Sequence, residues 1–471
     1  MTTTTYKKLS IIVCFGFILL AHFLCYTGEI LHEDDFSRIV DNSVLNKTYF
    51  QELLFNNKSD GFYRPLNHVS FGITYYLFGL NALPYALFNL FLLFGCVWLV
   101  FYILDTLSHS SVFASLITFG WLLNIKLIFP VLSWAVGRTT SMYTFFLLLA
   151  LFFTLKARKS HRILWLMLTV LCTFLAMLSK ESAVVGPIFV LLLVGFDIRR
   201  NQYFTIKHFL LLMITFSIVY LIYFSLRSNS QAMTMATAPS YYKISFSLKT
   251  ILRHLHAFIE RSLIFSALLI PAFFLRQIAK RPTVARNRTH REHVSWYWTV
   301  VCGFLLFSLA IAPMVAVPSK SNLYGFFPSI FIVGTMVTLL SYSRQWPNSR
   351  QELTRLLIMM IVLSFIVAPV GWIRGQEIKE RAYIYDWSQE IYTVIRDDKP
   401  EEIEIRYNPS AITLRPVDFD YLTMTMNLRM QQPITLLINP DTESKNKWSF
   451  EILPAEESRI KGRIKLTSPI P

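Results

Sequence analysis

The sequence predicts an all-α polytopic membrane protein of about eleven transmembrane helices with a small soluble α/β domain at its C-terminal end. Three observations lead there. Of 471 residues, 54% are hydrophobic and only 16% charged, against about 25% charged in an ordinary soluble domain. Apolar blocks recur along the chain at lengths close to the roughly 20 residues a helix needs to cross a bilayer. After residue 372 these blocks stop and short alternating runs replace them. The net charge of +16 would suggest nucleic acid in a soluble protein. Here the Lys and Arg residues sit in short loops between apolar blocks, so topology explains them and no nucleic-acid partner is expected.

The first apolar block, 9–26, follows Lys7 and Lys8 but carries no small-x-small cleavage site, so it reads as a retained span. The others fall at 83–107, 111–134, 141–157, 163–179, 183–196, 208–226, 257–275, 296–316, 323–341 and 355–372. Basic loops at Lys156–Arg162, Arg199–Lys207, Arg276–Arg291 and Arg344–Arg355 then fall on the same side as Lys7 and Lys8. The positive-inside rule makes that side cytoplasmic. The expected placement is a bacterial inner membrane, with the N-terminus cytoplasmic and the tail periplasmic. Residues 1–372 form the membrane domain and 373–471 the outer domain. The five cysteines (Cys14, Cys25, Cys96, Cys172 and Cys302) all lie in apolar blocks and read as buried small hydrophobes.

This orientation puts the unusual polar residues outside. The loop 27–82 opens on the adjacent acids Glu33, Asp34 and Asp35, whose mutual repulsion calls for solvent, a cation or a chemical task. It ends with Tyr63-Arg64-Pro65, and the stretch 66–80 suits a helix lying in the membrane interface. Arg138 and the pair Lys180–Glu181 end spans on the same side, as does Lys320. An ionisable residue at such a place is costly unless paired or functional. Arg64 and Arg138 also read as snorkelling anchors, and Lys180–Glu181 as a local pair closing a helix. His32 reads as an exposed loop residue, and His254 and His256 as structural. In the tail, 376–396 reads as a surface helix and 403–407, 411–414, 433–439, 448–453 and 463–466 as strands.

Three outer segments, HEDDFSRIVDN, FYRPLNHVSFGITYYLFGLN and the pair LSWAVGRTTSMYTF with LAMLSKESAVVGPIF, resemble the GT-C superfamily of polytopic glycosyltransferases. The branch most similar contains the transmembrane and tetratricopeptide-repeat O-mannosyltransferases and their bacterial relatives, here without the repeat array. The resemblance covers roughly residues 1–345. It equates Asp34–Asp35 with the family's acidic pair, Tyr63-Arg64-Pro65-Leu66 with its Tyr-Arg-Pro-Leu, Trp134, Gly137 and Arg138 with its Trp-x-x-Gly-Arg, and Ser179-Lys180-Glu181 with its Ser-Lys-Glu. Departures are Thr140 where an acid is common, Ala86 and Leu93 in place of histidines, and only an echo of the late Arg-Tyr motif in 320–324 and 327–329.

The resemblance implies transfer of a sugar from a polyprenyl-phosphate donor to a hydroxyl on a glycan, lipid or protein acceptor outside the membrane, with inversion. Arg64, Arg138, Lys180 and Lys320 would hold the donor phosphate, a task that suits guanidinium and ammonium groups. Asp34 or Asp35 would take the acceptor proton, with Glu33, Glu181 and Tyr63 in support. Mg²⁺ or Mn²⁺ on Asp34 and Asp35 is a further expectation. A multi-pass transporter or lipid-linked glycan flippase is the competing reading, and a membrane scaffold a third. Transporters favour ionisable residues at mid-membrane and internal repeats; here the charges cluster at one surface and no repeat is seen.

Overall fold

The computed structural model describes residues 3–26, 39, 62–160, 163–199, 203–230, 247–264, 266–270, 296–315, 321–341 and 350–381. In the tail it describes 387–388, 391–392, 394–395, 402–407, 422–423, 426–427, 435–438, 448–455 and 458–469. The acids Glu33, Asp34 and Asp35, together with Lys320, lie outside the described residues. So do His32 and the strand expected at 411–414.

The chain enters with α1 (Thr3–Tyr26) and resumes at α2 (Pro65–Phe78), the expected interfacial helix. Pro65 occupies the first turn, where its missing N–H costs nothing, and the Arg64 carbonyl accepts from the Asn67 and His68 amides at 3.0 and 3.2 Å. Gly79, at φ +58°, ends α2, a backbone conformation that glycine adopts without a Cβ penalty. Ile73, Tyr76, Leu77 and Phe78 are exposed on its outer side, and Asn67, His68, Phe71 and Thr74 are buried on its inner side.

Next come α3 (Ala82–Ser108) and the pair α4 (Ser111–Leu122) and α5 (Ile125–Ser133). The sequence reads 111–134 as one span, but α4 and α5 meet at a 68° bend. Asn124 marks the break, with its Nδ2 donating to the Ser262 carbonyl at 2.5 Å. A 3-10 turn at Ala135–Gly137 then leads into α6 (Arg138–Ser160). A side chain at Gly137 would collide with the Pro130 carbonyl oxygen, so the turn that launches Arg138 needs glycine. After α6 follow α7 (Ile163–Ser179), a 3-10 turn at Glu181–Val185, α8 (Gly186–Arg199) and α9 (Ile206–Asn229). Thr154 and Thr169 meet at 3.3 Å between α6 and α7, a side-chain contact of the kind that joins helices in lipid.

The later helices are α10 (Leu248–Leu263), α11 (Trp296–Val315), α12 (Ser329–Ser341) and α13 (Arg350–Arg381). The expected span at 257–275 differs from what forms. α10 starts earlier and stops at Leu263, and a 3-10 turn follows at Ser266–Leu268. It is amphipathic: Leu248, Lys249, Leu252 and Arg253 face outward, while His254, Phe258 and Ser262 are buried. α13 carries Pro369 and runs unbroken through residue 373, so the expected boundary there lies inside a helix. Beyond it Trp387, Ser388, Ile391 and Ile395 are buried.

Among the described residues, α3, α6 with its preceding turn, the segment Glu181–Arg199 and α9 are long and apolar enough to cross a membrane, and the bent pair α4–α5 makes a fifth if taken as one span. Shorter apolar helices lie at Lys8–Leu24, Ile163–Ser179, Thr299–Met314, Ser329–Leu339 and Leu357–Val370. The chain is an integral membrane protein. The tail strands form one sheet: β1 (Glu402–Tyr407), β2 (Thr435–Ile438), β3 (Trp448–Ala455) and β4 (Ser458–Pro469), in the order β2-β1-β3-β4. β1 pairs in parallel with β2 (Glu402 opposite Thr435) and with β3 (Glu404 opposite Ser449), and β3 and β4 form an antiparallel pair. Cys14, Cys96 and Cys172 are buried as expected, whereas Cys302 is exposed on α11.

Candidate functional site

Helices that alternate in direction bring residues distant in sequence to the same end. At the end where α6 begins and α7 and α9 finish, Arg64, Lys180, Glu181 and Arg227 gather around a set of tyrosines. Arg64 is fixed from both sides: its carbonyl caps α2, and its guanidinium lies 4.0 Å from the Phe62 ring. It donates through Nε to Glu181 Oε2 at 2.8 Å and through Nη2 to Oε1 at 2.5 Å. Such a bidentate pair is the strongest form of charge-assisted hydrogen bond. Lys180 and Glu181 are therefore not a local pair. They are adjacent in sequence and point apart, with Glu181 reaching across to the loop before α2.

Lys180 turns inward and is 3% exposed. Its Nζ donates to Thr140 Oγ1 at 2.9 Å and lies 5.0 and 5.4 Å from the ring centres of Tyr324 and Tyr143. Thr140 stands where the family resemblance leads one to expect an acid, so the hydroxyl accepts a hydrogen bond without neutralising the ammonium. Lys180 lies in the turn between two spans. Burial, and then the nearby Arg64 charge, bring its ammonium down to about 7, against an upward pull from Glu181. Tyr324 comes from the 3-10 turn Asn322–Gly325. This turn is anchored by Trp121, whose Nε1 donates to the Phe326 carbonyl at 3.0 Å and whose ring lies 4.9 Å from that of Phe326. The late segment that only echoes the family motif thus reaches the same place.

Tyr63 is fully buried with its ring 5.8 Å from that of Tyr223 on α9, and burial pushes its phenol up to about 12. Tyr223 stands among the Glu181 carboxylate and the Arg64 and Arg227 guanidinium groups. Arg227 was missed in the sequence because it lies just past the apolar block 208–226. Its spacing from Tyr223 is the signal: four residues apart on a helix share a face. Among the described residues, then, Arg64, Lys180 and Arg227 gather around the Glu181 carboxylate and the Tyr223 phenol.

Arg138 does something different. It is 0% exposed. Its Nη1 donates to the Ser70 carbonyl and Thr74 Oγ1, both at 2.9 Å, and its guanidinium is boxed by Phe88, Phe71 and Tyr85 at 4.4, 4.6 and 5.3 Å. It ties α6 to α2 and so positions the helix that Arg64 begins.

Between α7 and α9 runs a groove of about 550 Å³, walled by Leu166, Leu171 and Phe174 on one side and Leu212, Val219 and Ile222 on the other, with Thr215 its sole polar lining residue. At 1.5 Å per residue it follows the helices for about 16 Å. Lys180 follows the last residue of α7 and Arg227 lies in the last turn of α9, so the two walls belong to the helices whose ends carry the cluster, with the groove stopping at Phe174 and Ile222, about 9 and 8 Å of helix before them. Among the described residues, no group of three His, Cys, Asp or Glu side chains could hold a metal ion.

The chain is thus a bundle of apolar helices with a short helix, Pro65–Phe78, after the first and a polar cluster at one end. The fold is similar to that of ArnT from Cupriavidus metallidurans bound to undecaprenyl phosphate, with a TM-score of 0.50 at 11% identity over 93% of this chain and 87% of that one. The same protein in the apo state gives 0.49 at 12% identity, over 92% and 86%. The apo oligosaccharyltransferase from Archaeoglobus fulgidus gives 0.46 at 9%, over 92% of this chain and 65% of that one. No protein-family model and no curated protein sequence matches the chain. The chain has the GT-C fold.

Proposed function

We propose that this protein is a membrane glycosyltransferase that moves a sugar from a polyprenyl-phosphate-linked donor to a hydroxyl acceptor on the outer side of the membrane, with inversion. The observation that carries the reading is an apolar groove walled by the two helices, α7 and α9, whose ends carry the cluster of Arg64, Lys180, Arg227 and Glu181. A lipid-linked phosphate has that shape and polarity: a long apolar chain ending in an anion. The ArnT structure that shares the fold holds undecaprenyl phosphate, which supports the same ligand class here.

In this reading Arg64, Lys180 and Arg227 bind the donor phosphate, with Lys320 joining them. Arg138 acts at one remove by holding α2. Tyr63 packs the floor of the cluster. An acceptor hydroxyl attacks the anomeric carbon from the face opposite the phosphate, and the carbon–oxygen bond to the phosphate breaks with its electron pair leaving on the phosphate oxygen. Asp34 or Asp35 takes the acceptor proton, with Glu33 beside them; Mg²⁺ or Mn²⁺ on those acids belongs to the same proposal. The fixed cations stabilise the charge that grows on the leaving phosphate. The tail sheet is proposed as an outer-face domain. The transporter reading loses ground because the clustered cations sit at helix ends rather than at mid-span.

The test is transfer of labelled sugar from a panel of polyprenyl-phosphate donors by membranes carrying the wild type, Arg64→Ala, or the double variant Asp34→Asn/Asp35→Asn. Transfer that disappears in the variants supports the reading. Folded, inserted protein that consumes no donor in the panel while moving a lipid-linked glycan across the bilayer would replace it with the flippase reading.

A further inference from the structure

The guanidinium best placed to bind the donor already holds an anion. Both Glu181 oxygens occupy the Arg64 fork, at 2.8 and 2.5 Å, in the geometry a phosphate would use. The two partners are not held equally. Arg64 is stacked on Phe62, its backbone caps α2, and its side chain is 8% exposed. The Glu181 side chain is 22% exposed and starts only a short 3-10 turn. Glu181 is thus the partner that can swing aside. Lys180, its backbone neighbour, and Tyr223 both lie close enough to feel its charge.

The charge count gives this a purpose. Transfer leaves a carrier phosphate monoester, more negative than the donor phosphodiester. Three fixed cations alone would hold that product tightly, and tight product binding slows turnover rather than speeding it. Resting on the donor-phosphate reading above, we propose that Glu181 is a built-in counter-anion that competes with the carrier phosphate for Arg64, swinging out when donor arrives and returning to displace the spent carrier. A purely structural ion pair, whose task is to hold Arg64 in position, predicts the opposite sign on removal of the carboxylate charge.

The sign can be measured as the affinity of purified full-length protein in lipid nanodiscs for undecaprenyl phosphate, with neutral undecaprenol as reference. Glu181→Gln is expected to bind undecaprenyl phosphate about tenfold tighter than wild type, because a largely buried guanidinium that has lost this carboxylate's charge gains more from an incoming anion. It should also lower both KM and kcat for transfer. Glu181→Asp, too short to grip both donors, should shift the same way by less, and it carries the test if Glu181→Gln does not fold. The gain should vanish when Glu181→Gln is compared on an Arg64→Gln background, since it runs through Arg64. Equal or weaker binding in folded Glu181→Gln or Glu181→Asp overturns the counter-anion role while leaving the donor reading intact. A wild type that binds undecaprenol as well as undecaprenyl phosphate overturns both.

Discussion

The two ends of the helical bundle treat charge in opposite ways. At the end where α3, α6 and α8 finish, ion pairs close one to one. Lys8 on α1 meets Asp105 on α3 at 2.6 Å, and Ser111 completes that carboxylate, also at 2.6 Å. Arg158 meets Asp197 at 2.9 Å, while Asp197 also accepts the Tyr203 and Phe204 amides at 2.9 Å each. Each of these carboxylates meets one cation and a further donor, and the pairs pin helix to helix. About 30 Å away along α6, Arg64, Lys180 and Arg227 gather, among the described residues, around the Glu181 carboxylate, and Lys180 donates to a neutral threonine. Closed pairs fasten a fold, whereas a cluster with more cations than carboxylates among its described residues suits a ligand that brings negative charge.

The largest effect should come from the unmatched end. Arg64→Ala removes both the phosphate donor and the partner of Glu181, and kcat/KM for donor should fall by about 100-fold or more with the protein still folded. The matched end should answer differently. Asp197→Asn takes the carboxylate charge from Arg158 and weakens two amide hydrogen bonds, so stability should drop by about 2 kcal/mol while kcat per folded molecule stays unchanged. A variant at Asp197 that loses activity but not stability would break the contrast between the ends.

Two smaller changes sharpen it. Thr140→Asp gives Lys180 the acid that the family resemblance leads one to expect, lowering the positive excess by one. Donor affinity should fall by roughly threefold to tenfold, read as KM with kcat little altered. The Lys180 ammonium, brought down to about 7, should impose a pH dependence. The donor phosphodiester keeps its charge through this range, so affinity should weaken as pH rises above about 7, by up to about tenfold per unit. Lys180→Arg, charged throughout, should flatten that profile. The stability sign runs the other way: a lysine held below its unfolded value is neutral in the native state between about 7 and its ordinary pKa while the unfolded chain stays protonated. Its contribution to stability therefore rises with pH across that window.

Apolar patterning made the helices legible, and a helix follows Arg64 where aromatic and small residues suggest one. The 68° bend in 111–134 was written in Asn124 and Pro130 but hidden by the unbroken apolar run around them. α10 was displaced because its inward face at His254, Phe258 and Ser262 follows helical spacing while its outward face is basic, a pattern that a hydropathy window averages away. In the site, motif residues Arg64, Lys180 and Glu181 do converge. Their pairing was not legible, because Glu181 joins Arg64 across 117 positions and turns away from its neighbour. Arg138 reads in the sequence as a phosphate contact; its Nη1 donates to Ser70 and Thr74 and three aromatic rings surround the guanidinium, surroundings set by packing that the sequence does not display. Glu33, Asp34, Asp35 and Lys320 remain readings of the sequence.

The most direct test of an anion-headed lipid site at the unmatched end is photo-crosslinking with a polyprenyl phosphate carrying a diazirine near its head, followed by peptide mapping. The expected result is labelling on α7 and α9 around Phe174 and Ile222, competed by undecaprenyl phosphate but not undecaprenol, and strongly reduced in Arg64→Ala. Labelling spread evenly over the lipid-facing helices, or confined to another groove and indifferent to Arg64, would contradict it.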